Sequence, residues 1–301
     1  MNRNKAVFAG LAALSAQIIF GFSFMFTKIA LKYASPMTVI ADRYIVAFIF
    51  MSAVLFFKKE KIRFRKNMLK LLVLAGFQPL MYYIFETYGI EMTTSSFSSI
   101  MISMIPVVSM ICSVFVLKEI PSFFQYVFSA LSVCGVVIVA LLGAEGGTVT
   151  PIGVLFLLGA VISSVGYNIA SRKLSKEFSV IERTFVMMLI GVISFVIISF
   201  FENINNPIAV ISGFASWEFT LAVLYLGAIS SVVAFLLLNY ANTYLPVAKT
   251  VVFANVTTVV SVVAGFIFLD EELSFASVVA IIMIITGIFG VQRLSIKKSG
   301  E

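Results

Sequence analysis

The chain has 301 residues, of which 61% are hydrophobic and 12% charged, with 21 Lys and Arg against 14 Asp and Glu and no His. That is too little polar surface to coat a water-soluble globule of this size, so the composition points to a bilayer protein. Without His the chain lacks the commonest metal ligand and the usual neutral-pH proton carrier. Cys112 and Cys134 fall inside apolar stretches, so no metal, cofactor or disulfide framework is expected.

A membrane-crossing helix needs roughly 20 mostly apolar residues. Ten such stretches fit, centred near residues 18, 47, 78, 105, 132, 161, 191, 228, 258 and 283. The first follows Arg3 and Lys5 as a secretory signal would, but it continues to Ile29 and has a partner starting near Gly153, so it reads as a retained helix. It sets Gln17, Gly21, Phe24 and Lys28 on one face. In the second stretch Arg43 lies seven residues past Pro36, roughly 10 Å into the membrane. A cation at that depth faces a cavity or a partner, where it binds a substrate carboxylate or closes a gate through Glu86; otherwise it snorkels outward or is neutralised by Asp42 or Glu86.

The third stretch carries Gln78, Tyr82 and Glu86 four residues apart, a polar stripe suited to cavity lining or to interhelical hydrogen bonds. Ser99, Ser103, Pro106, Ser109 and Ser113 form a small-residue seam for close packing in the fourth. Glu119 and Glu272 occupy equivalent turns before the fifth and tenth stretches, where a carboxylate suits the positive helix end. The sixth has Asn168 and Arg172 opposite Phe24 and Lys28. The eighth has Ser231, Phe235 and Asn239 opposite the stripe of the third, and Asn255 in the ninth stands beside a seam of Ala254, Thr257, Ser261 and Gly265. The candidate binding or gating residues are therefore Arg43, Glu86, Gln78, Tyr82, Asn168, Asn239, Asn255 and Gln17, with Asp42 and Glu86 as the carboxylates available for proton coupling.

The chain also repeats. Residues 81–141 align without gaps on residues 234–294 at a shift of 153, and an earlier stretch aligns at a shift of 144, with Lys32 on Lys176 and Ser35 on Ser179. The units are residues 1–143 and 151–294. Five spans per unit is an odd number, so the second copy is expected to lie upside down, the arrangement by which many transporters build two gates. Charge agrees: with both termini on the cytoplasmic side, 18 of the 21 cations fall there, and only Lys28, Lys32 and Arg43 remain for the outer half. Seven cations follow the second span, whereas residues 202–216 after the seventh carry none. The net charge of +7 thus sits in membrane-flanking turns and does not indicate nucleic acid.

Several local patterns follow one another along the chain: Gly21-Phe22-Ser23-Phe24 leading to Lys28; Ser35-Pro36-Met37-Thr38 with Ala41-Asp42-Arg43-Tyr44; Ile105-Pro106-Val107 running to Leu117-Lys118-Glu119-Ile120-Pro121-Ser122; and Phe268-Leu269-Asp270-Glu271-Glu272-Leu273-Ser274. In this order they resemble the ten-helix permeases of the drug/metabolite transporter superfamily, the EamA-like exporters. The resemblance implies an all-α integral membrane protein of ten transmembrane helices in two inverted five-helix repeats. It also implies export of small organic solutes such as amino acids, related metabolites or drugs, from the plasma membrane. Uptake or exchange of an anionic metabolite is the alternative. Two departures from the pattern stand out: Lys118 where a glycine often precedes the acidic residue, and Val259 opposite Pro106 where a proline is usual. An intramembrane enzyme would need a nucleophile with its base or a metal cluster, and the chain offers neither. The expected partners are the lipid bilayer and a small solute.

Overall fold

The computed structural model describes residues 3–60, 62, 66–93, 101–142, 150–205, 213–268, 275–294 and 297–298. Ser99 and residues 270–274, and the side chains of Phe24, Lys28 and Ser261, lie outside the described residues.

Among the described residues the chain builds ten helices. The first five are α1 (Arg3–Ala30), α2 (Pro36–Lys58), α3 (Leu69–Ala75, Gly76–Met81 and Tyr82–Glu91), α4 (Ile105–Leu117) and α5 (Phe123–Leu142). The second five are α6 (Pro151–Leu174), α7 (Val180–Glu202), α8 (Trp217–Tyr244), α9 (Val247–Val251, Val252–Asn255 and Val256–Phe268) and α10 (Phe275–Arg293). By length and composition α1, α2, α6, α7 and α8 can each cross a membrane. Large apolar side chains such as Phe57, Phe115 and Phe275 are 80% or more exposed, a surface that only lipid would cover.

Helix starts follow local chemistry. Ser35, Thr150, Ser179 and Ser216 each accept the backbone N–H three residues on, and Pro36 and Pro151 occupy first turns, where proline lacks only an N–H that is unused anyway. Glu182 completes a capping box with Ser179. At the other end of α4, Lys118 adopts the left-handed conformation with φ of 56°. This accounts for the glycine expected there: a Cβ in that region costs about 1 kcal/mol, which glycine avoids.

Two helices depart from regularity at equivalent places in the repeat. α3 is expected to be continuous but breaks at Gln78, which is extended (φ −148°, ψ 122°) and followed by Pro79 across a cis bond. Proline removes a helix donor and clashes with the preceding turn, so the helix kinks. In α8 the segment Tyr225–Val233 is π-helical, and the shift of 153 maps Gly76–Met81 onto residues 229–234. In α9, which lacks the usual proline, Val252–Asn255 tightens to a 3-10 turn instead.

Helices of the two halves pack antiparallel. Along α2 and α7, Ser35 meets Glu202, Thr38 meets Ser199, and Phe48 meets Phe185. Between α1 and α8, Tyr33 meets Glu218, Phe26 stacks on Tyr225 at 4.1 Å, and Phe20 meets Phe235. Close approach depends on small residues. A Cβ on Gly191 would stand 2.3 Å from the Tyr44 ring, and one on Gly287 would stand 2.5 Å from the Phe128 carbonyl. The central core gathers Tyr44, Tyr167, Phe195 and Phe235 from both halves. A two-residue antiparallel ladder joins Glu119–Ile120 to Lys297–Lys298.

Candidate functional site

Arg43 is buried at 6% exposure, and its guanidinium reaches from α2 to two other helices, α8 and α3. Nε donates to Ser231 Oγ at 2.7 Å and Nη2 to Ser230 Oγ at 3.1 Å, both in the π-helical segment of α8. Ser230 Oγ is also hydrogen-bonded to Ser23 of α1 at 2.7 Å. The face of the Tyr83 ring from α3 lies 5.0 Å from Cζ, a cation–π contact strengthened by burial. π-Helical segments recur at functional sites because they turn extra side chains toward one face.

Neither nearby acidic residue forms an ion pair with that charge among the described residues. Glu86 accepts from the Tyr82 hydroxyl one helical turn earlier, at 2.9 Å, and remains partly exposed. Asp42 is 3% exposed, and its Oδ2 has no hydrogen-bond partner among the described residues. Neither forms an ion pair with Arg43 among the described residues, so in this arrangement the guanidinium is held by hydroxyls and a ring face, and a gate closed through Glu86 remains an expectation. Gln78 is half-buried at the break in α3. The structure thus brings together Arg43, Tyr83, Ser230 and Ser231, with Tyr82 and Glu86 on the neighbouring turn of α3 and an edge contact between Tyr82 and Tyr83.

Asn239 belongs to a second cluster on the face bearing the basic helix ends. Its Oδ1 accepts from Ser171 Oγ at 2.7 Å and from the Tyr167 hydroxyl at 3.3 Å, while Nδ2 donates to Thr184 Oγ1 at 3.0 Å. The hub of this cluster is Arg183, which is fully buried. Its Nη1 donates to the carbonyl and hydroxyl of Ser171, both at 2.8 Å, and its Nη2 to the Asn239 carbonyl at 2.9 Å and to the Thr243 hydroxyl. Sequence reasoning grouped Arg183 with the cations that orient the protein. Only its place in the first turn of α7, facing α8, removes it from water.

The same face is fastened by Arg172, whose Nε donates to Glu119 Oε1 at 3.0 Å and whose Nη1 donates to the Asn242 and Thr243 carbonyls that end α8. Glu119 Oε2 accepts the Val247 N–H at 2.8 Å. Its carboxylate therefore serves the start of α9 and a cation of α6, not the start of α5 as expected. Lys249 Nζ donates to the Gln292 carbonyl at 2.7 Å and joins α9 to α10.

The remaining candidates stand apart. Gln17 Oε1 accepts from Thr257 Oγ1 at 3.0 Å between α1 and α9, and Asn168 donates to the Ser164 carbonyl of its own helix at 3.0 Å. Asn255 donates to Ser132 Oγ of α5 at 2.9 Å.

Ten helices with lipid-facing apolar surfaces and charged groups held in the interior define a multi-pass membrane protein of the transporter class. The chain belongs to the EamA-like transporter family, whose pattern matches residues 7–141 and again residues 151–293. It is 32% identical over 297 residues to the uncharacterized transporter YcxC of Bacillus subtilis (strain 168), covering 96% of this chain and 94% of that protein. It is 23% identical over 273 residues to an uncharacterized transporter of Archaeoglobus fulgidus, covering 91% and 94%. A solved crystal structure shares the fold with a TM-score of 0.79 at 16% identity, covering 95% of this chain and 99% of the other. The family and these relatives are transporters, not enzymes.

Proposed function

We propose that this protein is a secondary transporter in the plasma membrane, moving a small organic solute that carries a carboxylate, with Arg43 as its principal ligand. The observation that carries this reading is a guanidinium buried in the core, held by two serine hydroxyls and a tyrosine face, and without an acidic partner among the described residues. A carboxylate would replace the serines by a bidentate pair, a stronger charge-assisted interaction. Glu86, Tyr82 and Gln78 then offer a second polar end, fitting a solute that also bears an amino group.

Two units, 1–143 and 151–294, inverted about a midplane site and rocking by alternating access, account for the antiparallel packing of the equivalent helices α2 and α7. Both termini are cytoplasmic on this reading, so the fastened basic face is the inner one. Export is the preferred direction from family resemblance. Uptake or exchange of an anionic metabolite remains the second reading because Arg183 adds a second buried cation beyond Arg43.

The test is counterflow of a metabolite library in proteoliposomes. Wild type is expected to exchange a subset of carboxylate-bearing solutes, Arg43→Ala to lose that exchange, and Glu86→Gln to lose discrimination at the amino end. Normal exchange by Arg43→Ala would sink the assignment.

A further inference from the structure

We infer that Arg183 and the hollow beside it form a second, inner-side binding station for a small carboxylate. This inference rests on the carboxylate reading of the Arg43 site. On the basic face the α6–α7 connection and the end of α8 enclose an open hollow of about 520 Å³, lined by Ser175, Ser179, Tyr240, Thr243 and Tyr244, with Lys176 on its wall. Thr243 is common to the hollow and to the Arg183 cluster, because its hydroxyl accepts from Nη2. The guanidinium therefore lies directly behind the hollow's wall.

Its hydrogen bonding is incomplete in a telling way. Arg183 is 0% exposed, and among the described residues its Nε has no partner and no acidic side chain pairs with it. Buried charges are normally neutralised by an opposite charge, and dipoles alone leave part of the desolvation penalty standing. The missing counter-charge is what an anionic ligand supplies. A single planar fork with a free Nε suits one carboxylate, whereas a phosphate dianion calls for a denser set of cations. Glu177 also lines the hollow, but its carboxylate is engaged by Lys70 at 2.6 Å. The Thr243 hydroxyl accepts from Nη2 and donates to the Asn239 carbonyl at 2.8 Å, so it stands between the guanidinium and the hollow, and a χ1 rotation of Thr243 that swings this oxygen aside opens the way to Nε and Nη2. Tyr240 and Tyr244, whose ring centroids are 4.7 Å apart, provide an apolar wall for the rest of the solute.

The probe is benzoate, with neutral benzamide as its isostere, on the full-length protein in lipid nanodiscs. The measurement is the rate at which phenylglyoxal modifies each arginine, resolved by peptide mass spectrometry, with partly exposed Arg172 as internal reference. Benzoate at about four times its dissociation constant should slow modification of Arg183 about fivefold, while benzamide leaves it unchanged. Equal rates with benzoate and benzamide would overturn the proposal. So would an Arg183 that never reacts while Arg172 is consumed, since its guanidinium would then never meet the hollow. Arg43 is read in the same samples: protection at Arg183 without protection at Arg43 would refute the outer carboxylate site and leave the inner station standing, and the converse would do the opposite.

Discussion

Arg43 and Arg183 both reach across to α8, and both lack an acidic partner among the described residues, yet they are held by different chemistry. Serine hydroxyls and a tyrosine face hold Arg43, while helix carbonyls, Ser171, Asn239 and Thr243 hold Arg183. A displaced serine hydroxyl can turn to another partner, as Ser230 already does with Ser23. A buried guanidinium with several acceptors around it is harder to remove, because each abandoned acceptor keeps its desolvation penalty. Arg43 is thus placed to exchange partners, and Arg183 to hold helices together until its neighbours move.

The comparison breaks first at Arg183. Arg183→Met should destabilise the detergent-solubilised protein by about 3 kcal/mol, while Arg43→Met should cost about 1 kcal/mol, both read from thermal unfolding. Comparable losses at the two positions would erase the distinction. Steric contact between α2 and α7 gives the next effect: Gly191→Ala drives a Cβ into the Tyr44 ring and should cost about 2 kcal/mol by the same measurement. Glu119→Gln keeps an acceptor for the Val247 N–H but loses the charge opposite Arg172, and is expected to cost about 1 kcal/mol and to raise proteolysis near residue 119. Lys118→Gly should have the smallest effect and the opposite sign, stabilising by about 0.5 kcal/mol once the entropy of glycine in the unfolded chain offsets part of the relieved strain. A destabilised Lys118→Gly would show that the lysine side chain contributes more than its backbone costs.

Much of the architecture was legible before any fold was known. Ten spans follow from apolar length, and the position of Arg43 follows from counting residues past Pro36. Helical periodicity put Tyr82 next to Glu86 but did not foresee the break at Gln78, and the image of the stripe in α8 pointed to Ser231, which receives Arg43. The stripe did not reveal which of its members share a partner. Asn239, equally polar and equally in register, joins the Arg183 cluster instead, because α8 descends antiparallel to α1 and carries its two ends to opposite faces.

Hydropathy, periodicity and repeat spacing are properties of neighbours along the chain, so the sequence by itself determined the membrane class, the ten helices and the doubled unit. The tertiary structure alone decided the partners: that Glu119 serves α9 and Arg172, that Asp42 and Glu86 leave Arg43 without an ion pair, and that Arg183 is interior. A polar group's role depends on which helix comes within about 3 Å of it. That distance is set by interhelical packing, for which Gly191 and Gly287 make room far from the charges themselves.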